Sequence, residues 1–166
     1  AIAPAFFDFV ENEVELAYDA AGIAKGRDLM MEVGMERAVE AVASAAEAIA
    51  SSGRIGAVGY CWGGTVVLRA AQLLGMPASS YYGSRNVQYL SEPLKAPAIF
   101  HYGADDASTP PEAIAKQRAA WPDAPIYVYE GCGHAFNRDV DAHAYNAAAA
   151  KLALQRTLDL FARNLG

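Results

Sequence analysis

Cys61, His134 and an aspartate at position 105 or 106 supply the three residue types that nucleophilic catalysis requires. A thiol becomes a strong nucleophile when a histidine takes or shares its proton, and the histidine needs an acid to orient its ring. The two adjacent aspartates point in different directions, so one of them is expected to hydrogen-bond only its own turn. The pattern predicts a covalent hydrolytic mechanism.

The cysteine lies in residues 55–64, an apolar run that ends in Gly-Tyr-Cys-Trp-Gly-Gly and predicts a strand, a sharp turn and the start of a helix. Gly59 and Gly63 flank the turn, where they are expected to let the strand and helix backbones approach closely. The first turn of a helix carries unpaired N–H groups and a partial positive charge, which should lower the pKa of the Cys61 thiol. The alternative is a buried, inert cysteine beside glycines that only allow tight packing.

His134 is the best candidate for the base among the three histidines, because it lies in a Gly-Cys-Gly-His loop directly after an apolar strand pattern. His101 falls inside a strand pattern, which favours a buried core residue. His143 falls on the predicted last helix, on a polar stretch typical of a surface.

Strand and helix patterns alternate along the chain, which predicts a mainly parallel sheet. In such sheets ligands bind beyond the carboxyl ends of the strands. Cys61, Asp106 and His134 each follow a strand end, so we expect one shared site. The predicted strands are residues 1–7, 54–60, 78–82, 97–102 and 125–130, and the predicted helices are residues 25–52, 65–74, 112–120 and 141–164.

Length and composition predict one folded domain over residues 1–166. With 13 basic and 19 acidic residues the net charge is −6, and the basic residues do not cluster, so nucleic acid is not an expected partner. No apolar run is long enough to span a membrane and no signal peptide is recognisable, which favours the cytoplasm. Two cysteines are too few for a disulfide scaffold. We expect no cofactor and no metal.

Three motifs together resemble the dienelactone hydrolase family: Gly-Tyr-Cys-Trp-Gly-Gly, His-Tyr-Gly-Ala-Asp-Asp with a proline four residues on, and Gly-His-Ala-Phe. The resemblance implies an α/β-hydrolase fold, a mainly parallel sheet with helices on both faces. It assigns the acid to Asp106 and the oxyanion donor to the backbone N–H of Trp62. It also implies hydrolysis of a lactone or carboxylic ester through an acyl-enzyme on Cys61, with His134 as base.

The same resemblance indicates how the substrate would be held. Arg138, four residues after the histidine, corresponds to an arginine that binds the substrate carboxylate; the alternative is a solvated arginine. Tyr82, with Tyr81, matches a tyrosine pair that would line the site, and core packing is the alternative. Phe9 stands where a second arginine is expected and Ala135 where serine is frequent, so a more apolar ester or lactone is expected.

By the same resemblance, residues 1–7 correspond to the fourth strand of an eight-stranded sheet. The chain would then lack the N-terminal strands of the fold, together with a loop that carries a second oxyanion donor and a glutamate near the cysteine. An upstream segment of the same protein is therefore an expected partner, beside the small-molecule substrate.

Two other functions are compatible with parts of this pattern. Cys61 and Cys132 both lie at strand ends near His134, which would suit a redox-responsive or binding protein without turnover, although the close ligand spacing of zinc sites is missing. An amidotransferase-type glutaminase also uses a cysteine elbow, but it requires glutamate two residues after the histidine, where this chain has Phe136.

Overall fold

The computed structural model describes residues 1–166, which divide into two compact units, Ala1–Ser52 and Gly53–Gly166. The first unit contains a 3-10 helix, Phe6–Phe9, and a long helix α1, Ala20–Ala48. Asp19 caps α1 by accepting the N–H of Gly22 at 2.7 Å. Gly34 interrupts the helical backbone with φ 72° and ψ 168°, and a short 3-10 helix, Ala50–Ser52, follows.

The prediction of a strand over residues 1–7 is wrong. Residues 1–5 have no regular structure and Phe6–Phe9 form a 3-10 turn. An apolar pattern specifies a strand only where a neighbouring strand accepts its backbone hydrogen bonds, and none pairs with these residues. The expected helix at residues 25–52 begins earlier, at Ala20, because Asp19 provides the cap.

The second unit is built on a four-stranded parallel sheet in the order β1-β2-β3-β4. The strands are Ala57–Tyr60, Ala78–Tyr81, Ala98–Gly103 and Ile126–Tyr129. In the register, Ala57 lies beside Ala78, and Ala78 beside Ala98. Every residue of β2 and β3 is buried, as expected for strands with neighbours on both sides and helices on both faces.

One face of this sheet is covered by α2, Trp62–Leu73, and α3, Pro111–Ala120. Proline at the first position of α3 suits a helix start, where no backbone donor is needed. The core on this face joins α2 and α3 to Phe100 and Tyr102 of β3, and Trp121 stacks on Phe100 at 5.5 Å between ring centroids.

The opposite face is covered by α4, Ala147–Leu165. Thr157 of α4 lies 2.8 Å from the hydroxyls of both Ser79 and Tyr81, so the polar residues of β2 are satisfied in the interior. The closing helix begins at 147 and not at 141, because residues 141–146 form turns and Asn146 caps the helix by accepting the N–H of Ala149. None of the helices combines the length and apolar character that a bilayer span requires.

Candidate active site

The turn between β1 and α2 places Cys61 at the carboxyl end of the sheet, immediately before the first residue of α2. Its backbone has φ 54° and ψ −117°, a conformation that is strained for any residue with a Cβ. The N–H of Cys61 donates to the carbonyl of Tyr81 at 3.0 Å, which ties the turn to β2. The residue is exposed at the surface, although neighbouring groups crowd its sulfur and partly shield it from water.

Close packing at this turn depends on Gly59 and Gly64. A Cβ on Gly59 would lie 2.0 Å from the carbonyl oxygen of Gly63, and one on Gly64 would lie 2.6 Å from the carbonyl oxygen of Tyr81. A Cβ on Gly63 would meet nothing within 4 Å. The expectation that Gly63 is needed for close approach is therefore wrong; Gly63 contributes its carbonyl to the tight contact, and Gly64 is the second glycine that close packing requires.

His134 lies between Cys61 and Asp106. Its Nε2 is 3.2 Å from the Cys61 sulfur, and its Nδ1 is 2.8 Å from Oδ2 of Asp106. A carboxylate accepts hydrogen bonds only, so Nδ1–H donates to Asp106 and Nε2 is left to exchange a proton with the thiol. The three residues that follow separate strand ends are thus in direct contact.

The charges of the three groups support one another. Burial would raise the pKa of the Cys61 thiol, but the hydrogen bond and charge of His134 and the backbone N–H of Trp62 outweigh it, so that the pKa lies below its usual value. Hydrogen bonds to Asp106 and then to Cys61 raise the pKa of His134 to about 9. Burial opposes but does not prevent a lowered pKa for Asp106, which accepts from His134 and Ser108. The site favours a thiolate beside an imidazolium.

The loop that carries His134 passes directly over the end of β3. A Cβ on Gly103 would lie 2.2 Å from the carbonyl oxygen of Cys132, so only glycine allows this crossing. Asp105 donates its N–H to the same carbonyl at 2.9 Å. Asp105 is exposed whereas Asp106 is buried, so Asp106 is the aspartate that contacts the histidine.

Ser108 also belongs to the site, although it is not among the predicted site residues. Its hydroxyl lies 2.6 Å from Oδ1 of Asp106 and 3.1 Å from Nδ1 of His134, and its N–H donates to the same Oδ1 at 2.9 Å. The spacing Asp-x-Ser is a signal for this kind of turn. The signal is common in loops, so it does not by itself indicate a site.

Aromatic rings form the wall behind His134. The ring of Tyr82 contacts His134 edge to face at 5.0 Å between centroids, and Phe136 lies 5.5 Å from Tyr82. Tyr82 is 3% exposed, and burial raises the pKa of its hydroxyl. Tyr81 points to the α4 face, where its hydroxyl contacts Thr157. Of the tyrosine pair, therefore, only Tyr82 lies against the imidazole.

Arg138 forms an ion pair with Asp141, three residues on. Its positive charge also acts on the hydroxyl of Tyr82, where it partly offsets the effect of burial. Arg138 is therefore close to the aromatic wall of the site, with its guanidinium held by an acidic neighbour.

The remaining histidines and Cys132 lie outside the contact chain of Cys61, His134 and Asp106, although Cys132 packs with Tyr82 and Phe136 behind it. His101 is fully buried and contacts the hydroxyl of Tyr129 at 2.8 Å, and burial lowers the pKa of its ring to about 3. His143 is exposed. His101 is buried as predicted. His143 is exposed as predicted, but it lies in a turn before α4 and not on that helix. Cys132 is a buried thiol whose pKa is raised by burial. No group of three His, Cys, Asp or Glu side chains could hold a metal ion.

The parallel sheet, the helices on both faces and the sharp turn after β1 define the α/β-hydrolase class, as predicted. Within that class, the chain belongs to the dienelactone hydrolase family, whose pattern it matches over residues 1–165. The family resemblance inferred from the three motifs is thereby confirmed.

Individual relatives agree with this membership. The chain is 36% identical over 139 residues to carboxymethylenebutenolidase of Pseudomonas putida. Its fold is similar to that of a protein from Klebsiella pneumoniae described provisionally as a dienelactone hydrolase, with TM-score 0.76, 29% identity and coverage of 88% of this chain and 68% of that one. A dienelactone hydrolase-like promiscuous phosphotriesterase from metagenomic libraries shares the fold with TM-score 0.70 and 15% identity, over 90% of this chain and 70% of that one.

The alignment with the Pseudomonas putida enzyme covers 80% of this chain and 58% of the relative. The chain thus spans little more than half the length of that curated relative.

Proposed function

We propose that this protein hydrolyses a lactone or carboxylic ester by nucleophilic catalysis at Cys61, with His134 as base and Asp106 as the residue that orients it. The observation that carries the proposal is the continuous contact from sulfur to imidazole to carboxylate, 3.2 Å and 2.8 Å. The activity of the Pseudomonas putida relative, carboxymethylenebutenolidase, belongs to the same reaction class.

The reaction begins with the sulfur of Cys61 attacking the substrate carbonyl carbon. His134 holds the thiol proton at Nε2 as imidazolium, and Asp106 stabilises the positive ring through Nδ1–H. Collapse of the tetrahedral intermediate breaks the carbon–oxygen bond; the proton on Nε2 passes to the leaving alkoxide, and an acyl-enzyme remains on Cys61. His134 then takes a proton from water, which attacks the thioester and releases the acid.

Negative charge on the carbonyl oxygen requires donors aimed at it. The backbone N–H of Trp62 is the first of α2 and lies close enough to the Cys61 sulfur to lower the pKa of the thiol. The start of α2 adds a partial positive charge in the same place. We assign Trp62 as one oxyanion donor, and a donor of this kind contributes about a hundredfold to a thousandfold in rate.

Arg138 and Tyr82 are the residues we propose for substrate binding. The ring of Tyr82 packs against His134 and is 3% exposed, so its part would be to form the back of the binding site. Arg138 offers a guanidinium that can pair with a substrate carboxylate. Because Arg138 already pairs with Asp141, a carboxylate must compete with that partner. This supports a preference for apolar or weakly acidic esters.

Replacement of Cys61 by alanine tests the mechanism. We expect Cys61→Ala to lose hydrolysis of aryl esters and lactones by at least about a thousandfold, measured as steady-state rate with an ester that releases a nitrophenolate. Cys132→Ala is the matched control, since its thiol is buried and outside the contact chain, and it should keep the parent rate. Retained turnover in Cys61→Ala would refute the assignment, and trapping of an acyl group on Cys61 by mass spectrometry would support the covalent step.

A further inference from the structure

We propose that Ser108 is a positioning residue for the proposed hydrolysis, acting through Asp106 and His134. The inference rests on the proposed function of the Cys61 site, but its geometry stands by itself. The Ser108 hydroxyl is within hydrogen-bond distance of both groups, 2.6 Å from Oδ1 of Asp106 and 3.1 Å from Nδ1 of His134.

Counting protons defines the direction of each hydrogen bond. The Ser108 hydroxyl has one proton, and the short contact to the Asp106 carboxylate requires that this proton points to Oδ1. The hydroxyl oxygen then faces His134 with its lone pairs only, so it accepts from Nδ1–H. That proton is consequently shared between Oδ2 of Asp106 and the oxygen of Ser108.

This closed arrangement restricts two motions at once. Asp106 accepts from the N–H and the hydroxyl of Ser108 through one oxygen and from His134 through the other, which resists rotation of the carboxylate. The imidazole has two acceptors at Nδ1, so its tautomer and its tilt are fixed with Nε2 toward Cys61. Proton transfer at Nε2 is sensitive to small errors in that alignment.

Burial shows why a hydroxyl matters at this position. The Asp106 side chain is 1% exposed and that of His134 is 34% exposed, whereas Ser108 lies at the surface. Ser108, itself exposed, thus donates its hydroxyl to Oδ1 of a carboxylate that is almost fully buried. Without the hydroxyl, water would take its place as a donor to Oδ1 of Asp106. The backbone N–H of residue 108 would then be the only protein donor to that oxygen.

Ser108→Ala removes the hydroxyl and keeps the backbone N–H, and Ser108→Thr restores a hydroxyl at the same atom. We expect Ser108→Ala to lower kcat about tenfold with KM within about twofold of the parent, because a hydrogen bond to a charged group is lost without a loss of substrate contact. Ser108→Thr should recover kcat to within about threefold. Ser91→Ala, at an exposed serine outside the site, should match the parent. An unchanged kcat in Ser108→Ala would overturn the proposal.

A double-mutant cycle separates positioning from a general structural role. If Ser108 acts through the carboxylate, Ser108→Ala should have little further effect once Asp106→Asn is present, so the two losses do not multiply. Independent losses that multiply would contradict action through Asp106. Circular dichroism and thermal denaturation test whether each variant is folded under the conditions in which its kcat is measured.

A readout that does not depend on turnover separates this inference from the proposed function. In proton NMR, the Nδ1-bound proton of His134 should exchange with water at least about fivefold faster in Ser108→Ala, and Ser108→Thr should restore slow exchange. If the parent shows no hydrolysis but this difference appears, the proposed function fails and the positioning role of Ser108 stands. Equal exchange rates in the parent and in Ser108→Ala would refute that role.

Discussion

His134 determines the charges of the site, because its two ring nitrogens contact the Cys61 sulfur and the Asp106 carboxylate. The sulfur is otherwise in an environment where burial raises the pKa of a thiol. The hydrogen bond and positive charge of His134 provide most of the opposing effect. The ionisation of the Cys61 thiol therefore depends on a residue 73 positions further along the chain.

We expect His134→Ala to move formation of the Cys61 thiolate to pH values above the ordinary thiol pKa of 9.0. With the imidazolium removed, the effect of burial is opposed only by the N–H of Trp62. Ultraviolet absorbance near 240 nm as a function of pH measures the thiolate, with His134→Ala/Cys61→Ala as the blank. His143→Ala, at an exposed ring, is the control, and it should titrate as the parent does. Superimposable curves for the parent and His134→Ala would contradict the expectation.

Individual site residues differ in how far the sequence could predict them. Cys61 and His134 follow strand ends and stand beside glycines, so pattern alone places them at the carboxyl edge of the sheet, where the structure finds them in contact. The choice between Asp105 and Asp106 needed the family resemblance, because adjacent residues share every local signal. Ser108 was not predictable, since its contact with His134 spans 26 residues and depends on how two loops meet.

At the scale of elements, the contact between β1 and α2 positions the sulfur, and it depends on one glycine. We expect Gly59→Ala to destabilise the second unit by about 3 kcal/mol, since the new Cβ would lie 2.0 Å from the backbone oxygen of Gly63, which cannot move without displacing the helix. Denaturation with urea measures the loss in free energy of unfolding.

Gly63→Ala, in the first turn of α2, is the matched control. Its Cβ would meet nothing within 4 Å, and alanine is the better helix former, so its stability should lie within about 1 kcal/mol of the parent. Equal losses in the free energy of unfolding of the two variants would contradict the different contacts expected for the two Cβ atoms at the turn between β1 and α2.

The type of most helices and strands could be predicted from the sequence, but which strands pair with each other could not. The strands at residues 57–60, 78–81, 98–103 and 126–129 fall inside the predicted ranges or within one residue of them, because glycine, proline and apolar runs mark them clearly. Residues 1–7 carry the same apolar signal but have no strand partner, which sequence periodicity does not report. The predicted start of α4 at residue 141 lies before the observed start at Ala147, because alanines upstream of the Asn146 cap continue the helical pattern.

For the whole molecule, the ion pair between Asp106 and His134 makes the free energy of unfolding depend on pH. The pKa of Asp106 is lowered, so its contribution is present above its unfolded value near 3.8 and is lost as the pH falls through its folded pKa. The pKa of His134 is raised to about 9, so its contribution is complete below its unfolded value near 6.5 and is lost as the pH rises through about 9. Both contributions are present together between about pH 4 and 6.5.

Asp106→Asn removes the carboxylate. Its free energy of unfolding should be lower than that of the parent, and the difference should be largest between about pH 4 and 6.5. The difference should narrow as the pH falls below about 4 toward the lowered pKa of Asp106, and again as the pH rises from about 6.5 through the His134 pKa of about 9. Urea denaturation of the two proteins at pH 3, 5.5 and 9.5 measures it. Asp123→Asn, in an exposed turn after α3, should show a margin near zero at each pH. A margin that does not vary with pH would exclude the ion pair as its source.

The backbone of Cys61, with φ 54° and ψ −117°, lies in a conformation that suits glycine and costs about 1 to 3 kcal/mol for a residue with a Cβ. Packing between the sheet and α2 must therefore offset the free-energy cost of this one backbone conformation. The cysteine at position 61 places a sulfur atom at the start of α2, although the local backbone conformation favours glycine. Stability alone favours glycine at this position. A relative that does not need the thiol is therefore expected to carry glycine there and to keep the fold.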